Sequence, residues 1–186
     1  MSQGSKVLIA FYSRAGENYF GGSIKKVPVG NTKVVAQILQ KITGGDLCEI
    51  FSKEYPENYT KCTEVAQEDL RKKLRPEIHL KINDSDVSGF SIDKYDTLFI
   101  GSPCWWGTAP MPVFTFLENY VKPYSGSTLN IHPFQTHEGS GLGSTVSDYK
   151  KTLGSNSNIK ISNGLAINGS SCHQCEDKLK NWIQKF

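Results

Sequence analysis

The sequence contains no long hydrophobic segment and no dense cluster of basic residues. No apolar run approaches the ~18 to 20 residues that a helix needs to span a bilayer, and the first five residues lack the charged and apolar regions of a signal peptide. The 21 Lys and Arg side chains are balanced by 18 Asp and Glu, which leaves a net charge of +3. We therefore expect a soluble cytoplasmic protein that binds neither membrane nor nucleic acid.

Several familiar chemical motifs are also missing. The five cysteines are odd in number and widely spaced, so a disulfide framework is not expected. The chain has neither the lysine-containing phosphate loop of nucleoside triphosphate enzymes nor the Gly-x-Gly-x-x-Gly fingerprint of dinucleotide sites, and no catalytic triad or metal set is evident. Cys172 and Cys175 form a Cys-x-x-Cys pair where a helix is predicted to start. Two interpretations of this pair remain: a redox role, or two inert thiols that are buried or solvated.

What the sequence does contain is a regular alternation of short apolar runs and amphipathic segments. The predicted strands cover residues 6–12, 46–51, 97–100, 128–135 and 159–168. The predicted helices cover residues 31–43, capped by Asn31 or Thr32, then 60–74, 112–120, 144–153 and 170–185. This alternation implies an α/β fold with a parallel sheet covered by helices on both faces. We expect one domain over residues 1–186 with a loop insertion at 15–30, and residues 77–94 stay unassigned.

Two adjacent tryptophans, Trp105 and Trp106, lie in the loop just past the third predicted strand, after residues 101–104. The strand is apolar throughout, as expected when both faces of a sheet are covered. In open parallel sheets, ligands bind beyond the carboxyl ends of the strands. A tryptophan on such a loop exposes a large apolar face unless something flat covers it. The alternative is that both rings fold back onto neighbouring helices.

Two further loops would meet at the same edge of the sheet. Ser13, Asn31 and Thr32 place hydroxyl and amide groups at a helix N-terminus, which suits a phosphate. The loop at residues 136–143 is rich in glycine and exposes backbone amides. His137 in this loop either hydrogen-bonds a ligand ring or is an ordinary loop histidine, and Cys104 is interpreted as a packing residue. Together the three loops fit a mononucleotide with a bicyclic or tricyclic base.

The segments that form this edge resemble the flavodoxin-like family of FMN proteins over nearly the full length of the chain. The resemblance is carried by the first strand with Ser13 and Arg14, by residues 30–32, by residues 95–118 and by residues 136–144. It implies a three-layer sandwich with a five-stranded parallel sheet in the order 2-1-3-4-5, flavodoxin itself being a standard instance of this arrangement. The FMN-binding residues implied are Ser13, Arg14, Gly30, Asn31, Thr32, Pro103, Cys104, Trp105, Trp106, Gly107, Thr136, His137, Glu138, Gly139, Ser140 and Gly141.

The chain departs from the family in two respects. Residues 15–30 separate Ser13 from Asn31, although the family's phosphate loop is compact. The net charge is also close to zero, whereas electron-shuttle flavodoxins are strongly acidic. Our first hypothesis is an FMN-binding electron-transfer protein that serves a redox partner protein or a small electron acceptor. The alternatives are an FMN-dependent NAD(P)H:quinone-type oxidoreductase and a scaffold without a cofactor.

Overall fold

A computed structural model of the chain describes residues 6–186; the expectation about a signal peptide in residues 1–5 lies outside this part. The strands are β1 (Val7–Phe11), β2 (Gly16–Phe20), β3 (Ser23–Val27), β4 (Asp46–Ser52), β5 (Ile78–Ile82), β6 (Ser85–Asp86), β7 (Thr97–Pro103), β8 (Leu129–His137), β9 (Ile159–Ile161) and β10 (Leu165–Asn168). The helices are α1 (Asn31–Thr43), α2 (Tyr59–Lys72), α3 (Met111–Phe116), α4 (Thr145–Leu153) and α5 (Glu176–Ile183).

The main sheet has a parallel centre in the predicted order. β1 lies between β4 and β7, β8 follows β7, and both β9 and β10 pair with β8. The last predicted strand, residues 159–168, is thus two short strands that both pair with β8. They are separated around Gly164, whose φ of 77° takes the backbone out of the strand conformation. The order 2-1-3-4-5 is confirmed for these strands. The sheet is wider than five strands, because β5 pairs antiparallel with β4 and β6 with β5.

Two apolar layers pack on the two faces of this sheet, which confirms the three-layer sandwich. Alternate residues of β1 point to opposite faces, so Leu8 belongs to one core and Ile9 to the other. The first core also contains Phe116 of α3's last turn and Tyr149 of α4, and the second contains Leu39 of α1. Complete burial of an aliphatic side chain such as Leu8 stabilises the fold by about 1.5–3 kcal/mol.

The expectation of an irregular loop over residues 15–30 is wrong for most of this segment. β2 and β3 form a separate antiparallel hairpin whose turn is Gly21–Gly22. Both turn residues have positive φ, 57° and 87°, which a two-residue hairpin turn requires and glycine adopts without strain. Most of β3 is exposed, so the hairpin has no apolar face that would have revealed it in the sequence.

Three helix boundaries also differ from the prediction. The N-cap of α1 is Gly30 instead of Asn31 or Thr32, and this residue has no side chain with which to cap the helix. α2 ends at Lys72, two residues before the predicted end of this helix, and Leu74 beyond it is exposed. A 3₁₀ segment occupies Gly169–Gln174, so the final helix begins only at Glu176. Along residues 6–186, none of the helices is both long and apolar enough to cross a lipid bilayer.

Candidate functional site

A cavity of about 430 Å³ lies beyond the carboxyl ends of β1, β7 and β8. It is bordered by the first turn of α1, by the β2–β3 hairpin and by α2. All but three of the residues predicted from the sequence line it, namely Ser13, Arg14, Asn31, Thr32, Pro103, Cys104, Trp105, Trp106, Gly107, Thr136, His137, Glu138 and Ser140. Gly30, Gly139 and Gly141 are not among the lining residues. The three sequence-distant loops therefore meet at one cavity, as expected.

The start of α1 supplies hydrogen-bond donors to this cavity. The N–H groups of a first helical turn have no partner within the helix, and that of Lys33 donates to Ser13 Oγ at 3.1 Å. Because Ser13 Oγ accepts here, its own proton is available for another group. Thr32 Oγ1 is buried and lies 2.7 Å from Thr136 Oγ1, so one of these two hydroxyls donates a hydrogen bond to the other. A helix N-terminus with a free hydroxyl proton is suited to an anion.

Arg14 borders the cavity, but its guanidinium is occupied elsewhere. It donates to the carbonyl of Glu17 in the hairpin and to the carbonyls of Pro56 and Glu57, the latter two at 2.6 and 2.7 Å. These bonds join the base of the hairpin to the loop before α2. Gly30 also has a structural role, because a Cβ there would lie less than 3.0 Å from Ser13 Oγ and Arg14 O.

The two tryptophans have different surroundings. The ring of Trp105 meets those of Tyr12 and Tyr55 edge to face, at centroid distances of 5.7 and 5.0 Å. The ring of Trp106 is 51% exposed, and its Nε1 donates to the carbonyl of Thr63 in α2 at 2.8 Å. The backbone of Trp106 has a φ of 54°, which is uncommon outside glycine and costs conformational energy. Trp105 thus packs inward, and Trp106 remains available to stack on a flat ligand.

The loop at residues 136–143 is held by buried polar groups. Gln135, fully buried in β8, donates from Nε2 to the carbonyl of Gly141 at 2.9 Å and accepts a hydrogen bond from Thr145 Oγ1. The N–H of Ser144 donates to the carbonyl of Gly107 at 2.8 Å, which joins this loop to the tryptophan loop. The shape of the cavity on this side is therefore set before any ligand binds.

His137 and Cys104 are both uncharged in this environment. His137 Nδ1 accepts the N–H of Gly139 at 2.9 Å, so the neutral ring carries its proton on Nε2, and burial lowers the pKa of His137. Burial raises the pKa of the Cys104 thiol, and the backbone N–H of Cys104 donates to the carbonyl of Thr136 at 2.8 Å. The structure supports the interpretation of Cys104 as a packing residue beside the cavity.

Sequence reasoning missed the residues that the hairpin and α2 contribute. The hairpin supplies Asn18 and Tyr19, and α2 supplies one face of its helix with Tyr59, Cys62, Thr63 and Ala66. The rings of Tyr19 and Tyr59 lie 6.4 Å apart. The spacing of the α2 residues, three and four apart, marks one face of a helix, but nothing in the sequence says which elements that face meets.

Cys172 and Cys175 do not line the cavity. Both are buried and unpaired, and burial raises the pKa of each thiol, that of Cys175 to about 11. A reactive redox cysteine needs a lowered pKa, so this environment disfavours thiolate chemistry. Cys172 Sγ donates to Asn31 Oδ1 at 3.5 Å and so supports a side chain of the cavity wall.

The fold and this cavity define a doubly wound α/β protein with a ligand site at the carboxyl edge of its sheet. A family model described as flavodoxin matches residues 18–186, and the chain belongs to the flavodoxin family. No relative was found among curated proteins.

Two solved structures illustrate the likeness. A flavoprotein from Lactobacillus acidophilus NCFM, crystallised in complex with FMN, is 23% identical, with 96% of this chain and 99% of that chain covered and a TM-score of 0.64. A candidate flavoprotein from Bacteroides eggerthii is 26% identical, with 97% and 96% covered and a TM-score of 0.65.

Proposed function

We propose that this chain binds one FMN in the cavity and uses it to transfer electrons to a redox partner protein or a small acceptor. The observation that carries this proposal is the meeting of the α1 N-terminus, with the free hydroxyl proton of Ser13, and the exposed ring of Trp106 at one cavity. The flavodoxin family and the flavoprotein complex with FMN support it. We also propose a cytoplasmic location, on the sequence grounds given above.

The residues of the cavity fit the chemistry of FMN. A phosphate carries about −1.5 to −2 charges at neutral pH, and the start of α1 offers N–H groups and about half a positive charge. Among residues 6–186 no lysine lines the cavity, so neutral donors and the helix carry this interaction. The ring of Trp106 offers an apolar face to a flat heterocycle. A single position of this kind suits the one phosphate of FMN better than the diphosphate of FAD.

Bound FMN would supply one- or two-electron transfer, and the chain would set how readily this occurs. A tenfold difference in affinity between the oxidised and reduced cofactor shifts a one-electron potential by roughly 59 mV. Apolar contact with Trp106 disfavours a charged ring.

A second candidate is an FMN-dependent NAD(P)H:quinone-type oxidoreductase. Tyr19 of the hairpin and Tyr59 of α2 border the same cavity, and the ring of Tyr19 is 43% exposed. Such rings can stack on a small aromatic acceptor. The net charge of +3 also lacks the acidic excess that steers a shuttle to basic partner proteins.

Steady-state kinetics separates the two candidates. The FMN-loaded protein is mixed with NADH or NADPH and a soluble quinone, and oxidation of the nicotinamide is followed by absorbance. Rapid turnover favours the oxidoreductase; its absence, with a flavin that is reduced and reoxidised chemically, favours the electron carrier. Failure to retain any flavin contradicts both and leaves the scaffold.

A further inference from the structure

Trp105 belongs to an aromatic cluster that leads away from the ligand cavity. Its ring meets that of Tyr55 edge to face at a centroid distance of 5.0 Å, and that of Tyr12 at 5.7 Å. The ring of Trp105 lines the ligand cavity, and the two tyrosines line a second cavity of about 300 Å³ beyond the ends of β1 and β4. Electron tunnelling falls off steeply with distance, so rings in contact exchange electrons readily. The cluster therefore connects the two cavities.

Tyr55 differs from Tyr12 in what its hydroxyl contacts. Of the two, within residues 6–186, Tyr55 is the one that donates to a carboxylate, Asp69 Oδ2, at 2.9 Å, and Asp69 is only 3% exposed. Burial, together with the hydrogen bond to Asp69, raises the pKa of Tyr55, so its phenol keeps its proton at neutral pH. A tyrosine that loses an electron becomes strongly acidic. A carboxylate at hydrogen-bond distance is then positioned to accept the proton.

Lys53 favours the joint loss of the electron and the proton from Tyr55. Its Nζ lies 2.6 Å from Asp69 Oδ2 and 5.0 Å from the centroid of the Tyr55 ring. A positive charge this close to the ring disfavours a cationic radical there. The electron therefore leaves Tyr55 most readily when the phenolic proton leaves with it, and Asp69 is the acceptor at hydrogen-bond distance.

We propose that Trp105 and Tyr55 form a one-electron route that moves oxidising equivalents out of the ligand cavity, with Asp69 as the proton acceptor. An oxidant in the cavity takes one electron from the indole of Trp105 and is itself reduced. The Trp105 radical cation takes an electron from Tyr55, whose O–H bond breaks as the proton passes to Asp69. Trp105 is restored, Tyr55 becomes a neutral phenoxyl radical and Asp69 a neutral acid, so charge is conserved.

The oxidants for which such a route is useful are radicals of the kind formed when a reduced flavin reacts with dioxygen. In this respect the inference rests on the function proposed above, although the route itself needs no cofactor. It ends at the second cavity, where a small reductant in solution can return the electron to Tyr55. The ligand cavity is thereby spared an oxidised tryptophan in its wall.

The experiment oxidises tryptophan in the full-length apoprotein with azidyl radicals generated by pulse radiolysis. A Trp106→Phe background removes the 51% exposed indole that would compete for the oxidant. Absorbance follows the indolyl and phenoxyl radicals separately. We expect a phase in which the phenoxyl signal grows as the indolyl signal decays, at a rate independent of protein concentration. Tyr55→Phe, which removes only a hydroxyl, should abolish this phase, and Trp105→Phe should abolish it as well.

Tyr95→Phe is the matched control. The Tyr95 hydroxyl also donates to a carboxylate, Asp46 Oδ2, at 2.8 Å, but the ring beside Tyr95 is that of Phe90. This variant loses the same type of hydrogen bond and should keep the phase. Persistence of the phase in Tyr55→Phe, or its equal loss in Tyr95→Phe, would overturn the route.

Two further measurements address the proton. The phase should be slower in heavy water, because a deuteron then leaves Tyr55 with the electron, and slower in Asp69→Asn, because an amide does not take up the proton. An equal rate in both solvents, or an unchanged rate in Asp69→Asn, would overturn the assignment of Asp69 as the acceptor. Failure to bind FMN would refute the proposed function and leave the route intact, whereas absence of the phase in a protein that binds FMN would refute the route alone.

Discussion

Ser13→Ala tests how the cavity holds a phosphate. Ser13 Oγ accepts the N–H of Lys33 at 3.1 Å, so its hydroxyl proton is free to donate to an anion at the start of α1. A hydrogen bond to a charged group contributes about 1.5–3 kcal/mol, which corresponds to about ten- to hundredfold weaker FMN binding. Riboflavin lacks the phosphate, so its affinity should barely change.

Thr32→Val is the informative companion, because its effect divides between stability and binding. Thr32 is 2% exposed, and its hydroxyl shares a 2.7 Å hydrogen bond with that of Thr136. Removing it leaves the hydroxyl of Thr136 buried without this partner and should lower the free energy of unfolding by about 1–3 kcal/mol. In the native pair one hydroxyl donates to the other, which leaves the second hydroxyl proton free to donate to a ligand. Thr32→Val removes one of these two hydroxyls, so FMN binding should also weaken, while riboflavin binding should not.

Both variants are measured by flavin fluorescence titration with FMN and riboflavin, and by urea unfolding of the apoprotein. Ser13→Ala should weaken FMN binding and, because it also removes the acceptor of the Lys33 N–H, lower the free energy of unfolding by about 0.5–2 kcal/mol. Thr32→Val should likewise change both the FMN titration and the unfolding curve. Equal loss of FMN and riboflavin affinity in Ser13→Ala would show that the phosphate does not lie at the α1 N-terminus.

Three further perturbations address the tryptophans, the cysteines and a buried histidine. Trp106→Ala should weaken FMN and riboflavin alike by about 1–3 kcal/mol, whereas Trp105→Ala should mainly lower the unfolding free energy, by about 3 kcal/mol or more; identical effects of the two would contradict their different packing. Joint replacement of Cys172 and Cys175 by Ser should leave the flavin spectrum and electron transfer nearly unchanged, and lost turnover with retained FMN would instead assign them a redox role. Burial lowers the pKa of His132 to about 4, so the native state resists protonation and the unfolding free energy should fall as the pH drops from 6.5 to 4. Urea unfolding at pH 7 and 5 should show a smaller fall in His132→Phe, and an equal fall would refute this assignment.

The central parallel strands could be predicted because they are buried on both faces. β7 contains Leu98, Phe99 and Ile100 in sequence, and only a strand covered by helices on both sides tolerates such a run. The position of the cavity followed from this strand, because the tryptophan pair comes directly after it. These features depend on local sequence alone, and the structure confirms the fold.

The antiparallel additions could not be predicted with the same reasoning, because they have little buried surface. β3 is mostly exposed and β6 entirely so. The available signals were in the turns: Gly21–Gly22 in one hairpin, and Asn83–Asp84 with φ of 49° and 64° in the other. Asn and Asp tolerate this left-handed conformation better than most residues, so the second turn was a readable signal for β5 and β6.

The missed part of the candidate site depends on contacts between distant elements. Tyr59 and Ala66 lie on a helix whose orientation is set by packing, and Tyr19 reaches the cavity only because the hairpin exists. The placement of Glu138 depends on the absence of a side chain at Gly169, 31 positions along the chain. Such relations are not encoded in local periodicity.

Identification of the cofactor tests the central claim most directly. The purified protein, reconstituted with a mixture of FMN and FAD and freed of unbound ligand, is heat-denatured, and the released compound is identified by chromatography. We expect FMN, with one molecule per chain. Recovery of FAD alone, or of no flavin, would contradict the account.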